Sequence, residues 1–260
     1  MRLAVLGDPV SHTRSPAIHN AALAAAGIPG SYEALQVDEN GVRAAFDEVR
    51  AGTLTGFNVT MPFKGLAAKL CDRLDRDASR AGSVNTVTLI EDVVWGYSTD
   101  VGGIHDAWGD LPREGPILVL GAGGAAAAAC VALSHRPIYV AARRFGAGAE
   151  LGRNLLGNGL DFSLGEVRWG APVVGSVVVN CTPIGMGGES LPRDVLAASA
   201  GLFDLTYGSG VSPSVQAIRT MGLPAVEGLD LLVSQAVRSF QIWTGMVAPF
   251  DLLREAAKTP

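Results

Sequence analysis

Short apolar runs rich in β-branched residues alternate with longer stretches of helical periodicity along this chain. Leu3–Leu6, Ser31–Val37 and Gly56–Val59 predict strands. Between them, Ser15–Ala26, Val42–Ala51 and Lys64–Leu74 predict helices, the first with Pro16 in its opening turn, where no N–H is needed. Thr86–Ile90 and Val93–Tyr97 predict a hairpin turned at Glu91-Asp92. A second block repeats the alternation, with strands at Ile117–Leu120, Ile138–Ala141, Val177–Asn180 and Leu202–Leu205 and helices at Gly124–Ser134 and Glu150–Leu156. Strand-helix alternation of this kind points to parallel sheets covered by helices. Two final helices, Leu231–Thr244 and Phe250–Lys258, are expected to return to the first block; Leu232, Ala236, Phe240 and Trp243 mark the core face of the longer one. The pattern therefore reads as an α/β chain of two blocks that meet near Asp100–Pro112, the second closing near Gly228.

One turn in the second block carries chemistry. Ile117–Leu120 runs straight into Gly121-Ala122-Gly123-Gly124-Ala125-Ala126, a G-x-G-x-x-A sequence that leaves a strand and opens a helix. Gly121 permits the tight turn, Gly123 lets backbone approach a pyrophosphate, and Ala126 allows close packing of helix on strand. The free N–H groups and positive end of the helix favour phosphate. This is the context of a Rossmann-type dinucleotide site. About 20 residues on, NAD-binding versions carry an acidic residue for the ribose hydroxyls. Here the next strand ends in Ala141-Ala142-Arg143-Arg144. Two arginines suit the extra 2′-phosphate of NADP, which makes NADP the expected cofactor, with NAD as the alternative.

Composition narrows the class. The chain has 260 residues, of which 48% are hydrophobic and 17% charged, so a buried core is expected rather than disorder. Net charge is −5 and no basic run appears, which argues against a nucleic-acid partner. The apolar N-terminal stretch is too short for a signal peptide or membrane span, so no membrane partner is expected. Cys71, Cys130 and Cys181 lack metal-ligand spacing and read as small apolar residues in a reducing, cytoplasmic setting; no metal is expected. His12 and His19 read as structural.

The first block holds polar loops rich in glycine and proline: Gly7–Pro16, Gly56–Lys64, Gly82–Thr86 and Gly96–Asp100. Three of them follow or end a predicted strand, where ligands of open α/β sheets sit. Hydroxyls, amides, an ammonium and a carboxylate gathered there suit a small polyhydroxylated acid.

In these motifs the chain resembles the shikimate dehydrogenases. The resemblance runs through Thr13-Arg14-Ser15-Pro16, Asn58-Val59-Thr60-x-Pro62-x-Lys64, Val84-Asn85-Thr86-Val87, Thr99-Asp100 and the glycine-rich turn. It continues through Asn180–Met186, Asp204-Leu205-x-Tyr207 and Gly228-Leu229-x-x-Leu232-x-x-Gln235-Ala236. It implies reversible NADP-linked reduction of 3-dehydroshikimate to shikimate, a step toward chorismate and the aromatic amino acids. It implies a substrate-binding catalytic domain at residues 1–101 and 231–260, and a dinucleotide-binding domain at 102–230. Lys64 and Asp100 are then the catalytic pair. Thr13, Ser15, Asn58, Thr60, Asn85, Tyr207 and Gln235 are then substrate ligands. Gly121, Ala122, Gly123, Gly124, Ala125, Arg143, Arg144, Thr182, Leu205 and Gly228 then contact the cofactor. Reducing a ketone takes a hydride on carbon and a proton on oxygen; an ammonium can stabilise the alkoxide and donate that proton. Taken alone, Asp100 also reads as the N-cap of a helix joining the two domains, a role compatible with the catalytic one.

Four positions depart from the pattern. Thr13 stands where serine is usual, which leaves shikimate and the bulkier quinate both open as substrates. Ser98 replaces an asparagine before Thr99-Asp100. Ala142 and Arg144 replace the asparagine and threonine that flank Arg143, and Ala147 stands where a second basic residue is common. The alternatives are thus a quinate/shikimate paralogue using NAD, or a non-catalytic metabolite-sensing relative. Monomer and homodimer are both compatible with the sequence.

Overall fold

The computed structural model describes residues 1–208 and 210–258. The chain divides into two compact units, Met1–Gly103 with Leu232–Pro260, and Ile104–Leu231.

The first unit is built from β1 (Arg2–Gly7), α1 (Ser15–Ala25), β2 (Ser31–Gln36), α2 (Glu39–Arg50), β3 (Gly56–Val59), α3 (Lys64–Leu70), β4 (Arg73–Leu74), α4 (Arg76–Ala81), β5 (Thr86–Ile90), β6 (Val93–Tyr97) and the start of α5 (Thr99–Asp106). Its sheet has the order β2-β1-β3-β5-β6-β4. β1 runs parallel to β2 and β3, whereas β5 is antiparallel to both β3 and β6. The carboxyl ends of β1, β3 and β6 and the amino end of β5 therefore share one edge. Asn58 pairs with Thr86 and Thr86 with Tyr97 along it. Beneath lie Leu6, Phe46, Phe57, Val59 and Val87, all nearly inaccessible.

The second unit comprises β7 (Ile117–Leu120), α6 (Gly124–Ala132), β8 (Ile138–Ala141), α7 (Ala147–Gly157), β9 (Leu164–Glu166), β10 (Val177–Asn180), α8 (Arg193–Ala197), β11 (Gly201–Asp204), α9 (Pro213–Thr220) and β12 (Ala225–Val226). All its strand pairs are parallel, in the order β12-β11-β10-β7-β8-β9. β7, β10 and β11 are buried along their whole length, as a sheet covered on both faces requires. The order reverses between β7 and β10, which makes their carboxyl ends a topological switch point. Two last helices follow, α10 (Gly228–Thr244) and α11 (Phe250–Ala256). Leu232, Ala236, Phe240 and Trp243 are all buried, as the periodicity of α10 predicts.

Some elements differ from the sequence pattern. The helix expected over Lys64–Leu74 ends at Leu70, and Arg73-Leu74 instead pairs beside β6. α2 starts three residues before Val42, because Asp38 caps it by accepting the Gly41 N–H at 2.8 Å. α10 likewise begins at Gly228 rather than Leu231. The helices α4, α8 and α9 and the strands β9 and β12 were not expected; each is short, so its periodic signal is weak.

Candidate active site

The shared edge of the first sheet gathers most of the polar residues singled out in the sequence. Lys64 opens α3, where its cation faces the unfavourable end of that helix dipole. Its Nζ lies 2.6 Å from Oδ2 of Asp100, and both side chains are largely shielded from water. Asp100 does not cap α5: the helix begins at Thr99, which places Asp100 inside the first turn. There its charge meets the positive end of the dipole. The cap comes from Asn85, whose Oδ1 accepts the Thr99 N–H at 2.8 Å.

That bond fixes the Asn85 amide, because a backbone N–H can only donate. Nδ2 must then face the other way, and it donates to Asp100 Oδ1 at 3.0 Å and to Thr99 Oγ1 at 2.9 Å. Asp100 is thus held on one oxygen by an ammonium and on the other by an amide. Gln235 Oε1 lies 3.3 Å from the same Nδ2, while Gln235 Nε2 donates to the Leu232 carbonyl. Only 8% of Gln235 is exposed. Asn58 completes the cluster: its Nδ2 donates to the Asn85 carbonyl and to Thr86 Oγ1, both at 2.9 Å.

Lys64, Asp100, Asn85, Asn58 and Gln235 therefore form one hydrogen-bonded network. Thr13 and Ser15 form a separate pair, 3.1 Å apart, at the start of α1. Thr60 follows β3 on the same edge, with its N–H bonded to the Leu6 carbonyl. Tyr207 belongs to the other unit, half-buried beyond β11. Sequence reasoning did not single out Tyr32 or Ser239. Tyr32 donates to Asn58 Oδ1 at 2.6 Å, and Ser239 lies 2.9 Å from Thr86 Oγ1. Ser239 stands one helical turn beyond Gln235, a spacing that could have flagged it.

His12 is exposed, and His19 is fully buried against Tyr32 with ring centroids 4.4 Å apart. Burial pulls His19 down to about 3, so it is neutral at ordinary pH. Burial also pushes the Cys71 and Cys130 thiols up to about 12, which leaves both protonated.

In the second unit, the turn after β7 and the loop after β10 flank the switch point. Gly121 adopts φ +109°, and a Cβ there would stand 3.1 Å from the Cys181 carbonyl oxygen. Gly123 is different: a Cβ there would meet nothing within 4 Å. Its glycine is not required by the protein's own packing, which leaves room for a ligand against the backbone. Thr182 is held by Asn180, whose Oδ1 accepts from the Thr182 hydroxyl at 2.7 Å; Asn180 in turn donates to buried Asp204. Leu205 follows β11 on the same edge, its N–H bonded to the Asn180 carbonyl. Gly228 packs against the Leu205-Thr206 backbone, where no side chain fits.

Arg143 and Arg144 leave β8 beside this turn, since Gly121 N–H donates to the Ala141 carbonyl at 2.8 Å. Both are exposed. Arg144 is engaged by Glu150 through two hydrogen bonds, which raise the arginine and lower the carboxyl from their ordinary values. Arg143 has no ion-pair partner among the described residues. Glu166 accepts the Gly146 and Gly148 N–H groups at 2.8 and 2.9 Å, so the opening of α7 already holds a carboxylate.

Comparison with known proteins decides the family. Residues 5–87 match the shikimate dehydrogenase substrate binding domain, and residues 228–258 match the shikimate 5′-dehydrogenase C-terminal domain. The shikimate dehydrogenase (NADP(+)) of Geobacter sp. (strain M21) is 35% identical over 268 residues, covering 97% of this chain and 92% of that one. That of Archaeoglobus fulgidus is 36% identical over 264 residues, covering 98% and 97%. The chain belongs to the shikimate dehydrogenase family. Among solved structures, shikimate 5-dehydrogenase from Thermus thermophilus, in complex with NADP(H) and shikimate, superposes with a TM-score of 0.85 at 31% identity. It covers 99% of this chain, and 98% of its own length is matched. The family resemblance read from the motifs therefore holds along the whole chain.

Proposed function

We propose that this protein is a shikimate dehydrogenase that interconverts 3-dehydroshikimate and shikimate with NADP. The observation that carries the reading is the Lys64–Asp100–Asn85 network, in a chain alike over its full length to NADP-linked shikimate dehydrogenases. On this reading the first unit binds substrate and the second binds cofactor.

The residues of the second unit fit a dinucleotide. The N–H groups of Gly121–Ala125 would receive its phosphates, with Gly123 leaving the open space that close approach needs. Arg143 would meet the 2′-phosphate, joined by Arg144 once it parts from Glu150. Thr182, Leu205 and Gly228 would border the remainder. When bound, NADP supplies or accepts the hydride.

The chain's own part is the proton. Lys64 offers an ammonium to the oxygen of the reacting carbon, stabilises negative charge there and delivers a proton in the reducing direction. In the oxidising direction the hydroxyl proton returns to its Nζ. Asp100 keeps that Nζ in place, and Asn85 keeps Asp100 in place. Asn58 and Gln235 meet further polar groups of the ring, and Thr13, Ser15, Thr60 and Tyr207 contribute hydroxyls. The intact ammonium–carboxylate pair favours an enzyme over a metabolite sensor, which has no use for it.

No nucleic acid or membrane partner and a cytoplasmic setting are part of the same reading, with the protein acting as a monomer or homodimer. No helix among the described residues is long and apolar enough to cross a membrane. The test is steady-state oxidation of shikimate and of quinate, each with NADP and with NAD. Shikimate with NADP is expected to give the highest kcat/KM; no oxidation of either acid would overturn the proposal.

A further inference from the structure

Asn58 is 6% exposed, and every hydrogen of its amide has an acceptor inside the protein. Nδ2 lies 2.9 Å from the Asn85 carbonyl, 2.9 Å from Thr86 Oγ1 and 3.2 Å from Ser239 Oγ. A backbone carbonyl only accepts, so the amide cannot be flipped without setting two oxygens against each other. Oδ1 must then face Tyr32, and the Tyr32 hydroxyl must donate to it, at 2.6 Å. Ser239 donates to the Gln235 carbonyl at 3.0 Å, which leaves its oxygen free to accept from below Asn58. The direction of each bond is thereby set. Asn58 has no hydrogen left for a ligand, and Oδ1 keeps one lone pair that no described residue fills.

Tyr32 is itself held for this task from two sides. Asn20 grips its backbone, donating to the Tyr32 carbonyl and accepting its N–H, each at 2.9 Å. The ring is stacked on neutral His19 and flanked by Trp243. These contacts leave the phenol little freedom, so its hydroxyl meets Oδ1 without further ordering.

We propose that Tyr32 is a positioning residue: by filling one lone pair of Asn58 Oδ1 it aims the other at a ligand hydroxyl, rather than at a carbonyl or carboxylate, at that point of the site. This rests on the reading that Asn58 faces a polyhydroxylated substrate. A group lacking a hydrogen to donate would set its lone pairs against those of Oδ1, and neither could be relieved by rotation.

The test compares wild type with Tyr32→Phe, which keeps the stacked ring and removes only the hydroxyl. Both are assayed with shikimate and with analogues each lacking one ring hydroxyl. With shikimate, KM is expected to rise about tenfold, in the range expected when a buried acceptor loses its donor. The KM for NADP should stay the same. With the analogue lacking the hydroxyl that Asn58 receives, the ratio of the two proteins should fall close to one. An equal KM ratio for every analogue, or an unchanged KM for shikimate, overturns the proposal. If Tyr32→Phe does not fold, wild type alone decides, through the side-chain amide proton signals of Asn58. They should exchange slowly with water before and after shikimate binds, because both protons are bonded within the protein; fast exchange overturns the proposal. Wild type that oxidises no shikimate would overturn the functional reading instead.

Discussion

Lys64 Nζ and Asp100 Oδ2 lie 2.6 Å apart although 36 residues separate them in the chain. Neither residue places itself. Lys64 opens α3 immediately after the β3 loop, Asp100 lies in the first turn after β6, and the antiparallel run of β3, β5 and β6 brings both to one edge. Asp100→Asn keeps the shape but offers only one oxygen to two donors, Lys64 and Asn85. We expect turnover to fall roughly tenfold or more, with the KM for NADP unchanged. Steady-state kinetics of the variant check this; full turnover would show that the carboxylate is not needed to hold the ammonium.

The two glycines of the dinucleotide turn should respond oppositely to the same change. Gly121→Ala forces a side chain into a left-handed conformation and toward the Cys181 carbonyl, so its cost should appear as lost stability, about 1–3 kcal/mol. Gly123→Ala meets no protein atom and should fold normally while losing affinity for NADP. Thermal unfolding and cofactor titration of both variants separate the two outcomes.

Cofactor choice should turn on Arg143, Arg144 and Glu150. Joint replacement of both arginines by alanine is expected to weaken NADP at least about tenfold while leaving NAD nearly unaffected. Glu150→Gln releases Arg144 and should tighten NADP selectively. Dissociation constants for both cofactors measure this, and equal changes for NADP and NAD would show that the two arginines do not read the 2′-phosphate.

His19 should give the fold an acid limb. Its pKa in the folded protein, about 3, lies below the ordinary value of 6.5, so the unfolded chain takes up the proton first as pH falls. The stability it contributes is complete above 6.5 and declines toward 3 by about 1.4 kcal/mol per pH unit. Denaturant midpoints at about pH 7 and about pH 4.5 should therefore differ more in wild type than in His19→Phe. An unchanged slope in the variant would contradict this origin.

Much of this was legible in the sequence, for identifiable reasons. β3, β7, β8 and β10 fall where the apolar runs begin and end, because their strands are buried on both faces apart from the half-buried Tyr139 of β8. The hairpin turned where expected, with Glu91 and Asp92 both at positive φ. The direction of the amides was not legible. Asn85 and Asn58 read as residues waiting for a ligand, yet much of their hydrogen-bonding capacity is taken by Thr99, Asp100, Tyr32 and Thr86. Those bonds cross between strands and helices and follow no local spacing. Arg144 was expected to face the 2′-phosphate, and nothing in the residues around it indicates that Glu150 turns back to meet it across the opening turn of α7.

The role of Lys64 is tested most sharply by reduction of 3-dehydroshikimate by Lys64→Ala, with NADPH affinity titrated on the same preparation. Turnover is expected to fall about 10²–10⁴-fold, the size of a missing general acid, with cofactor affinity retained. Turnover close to wild type would contradict that role.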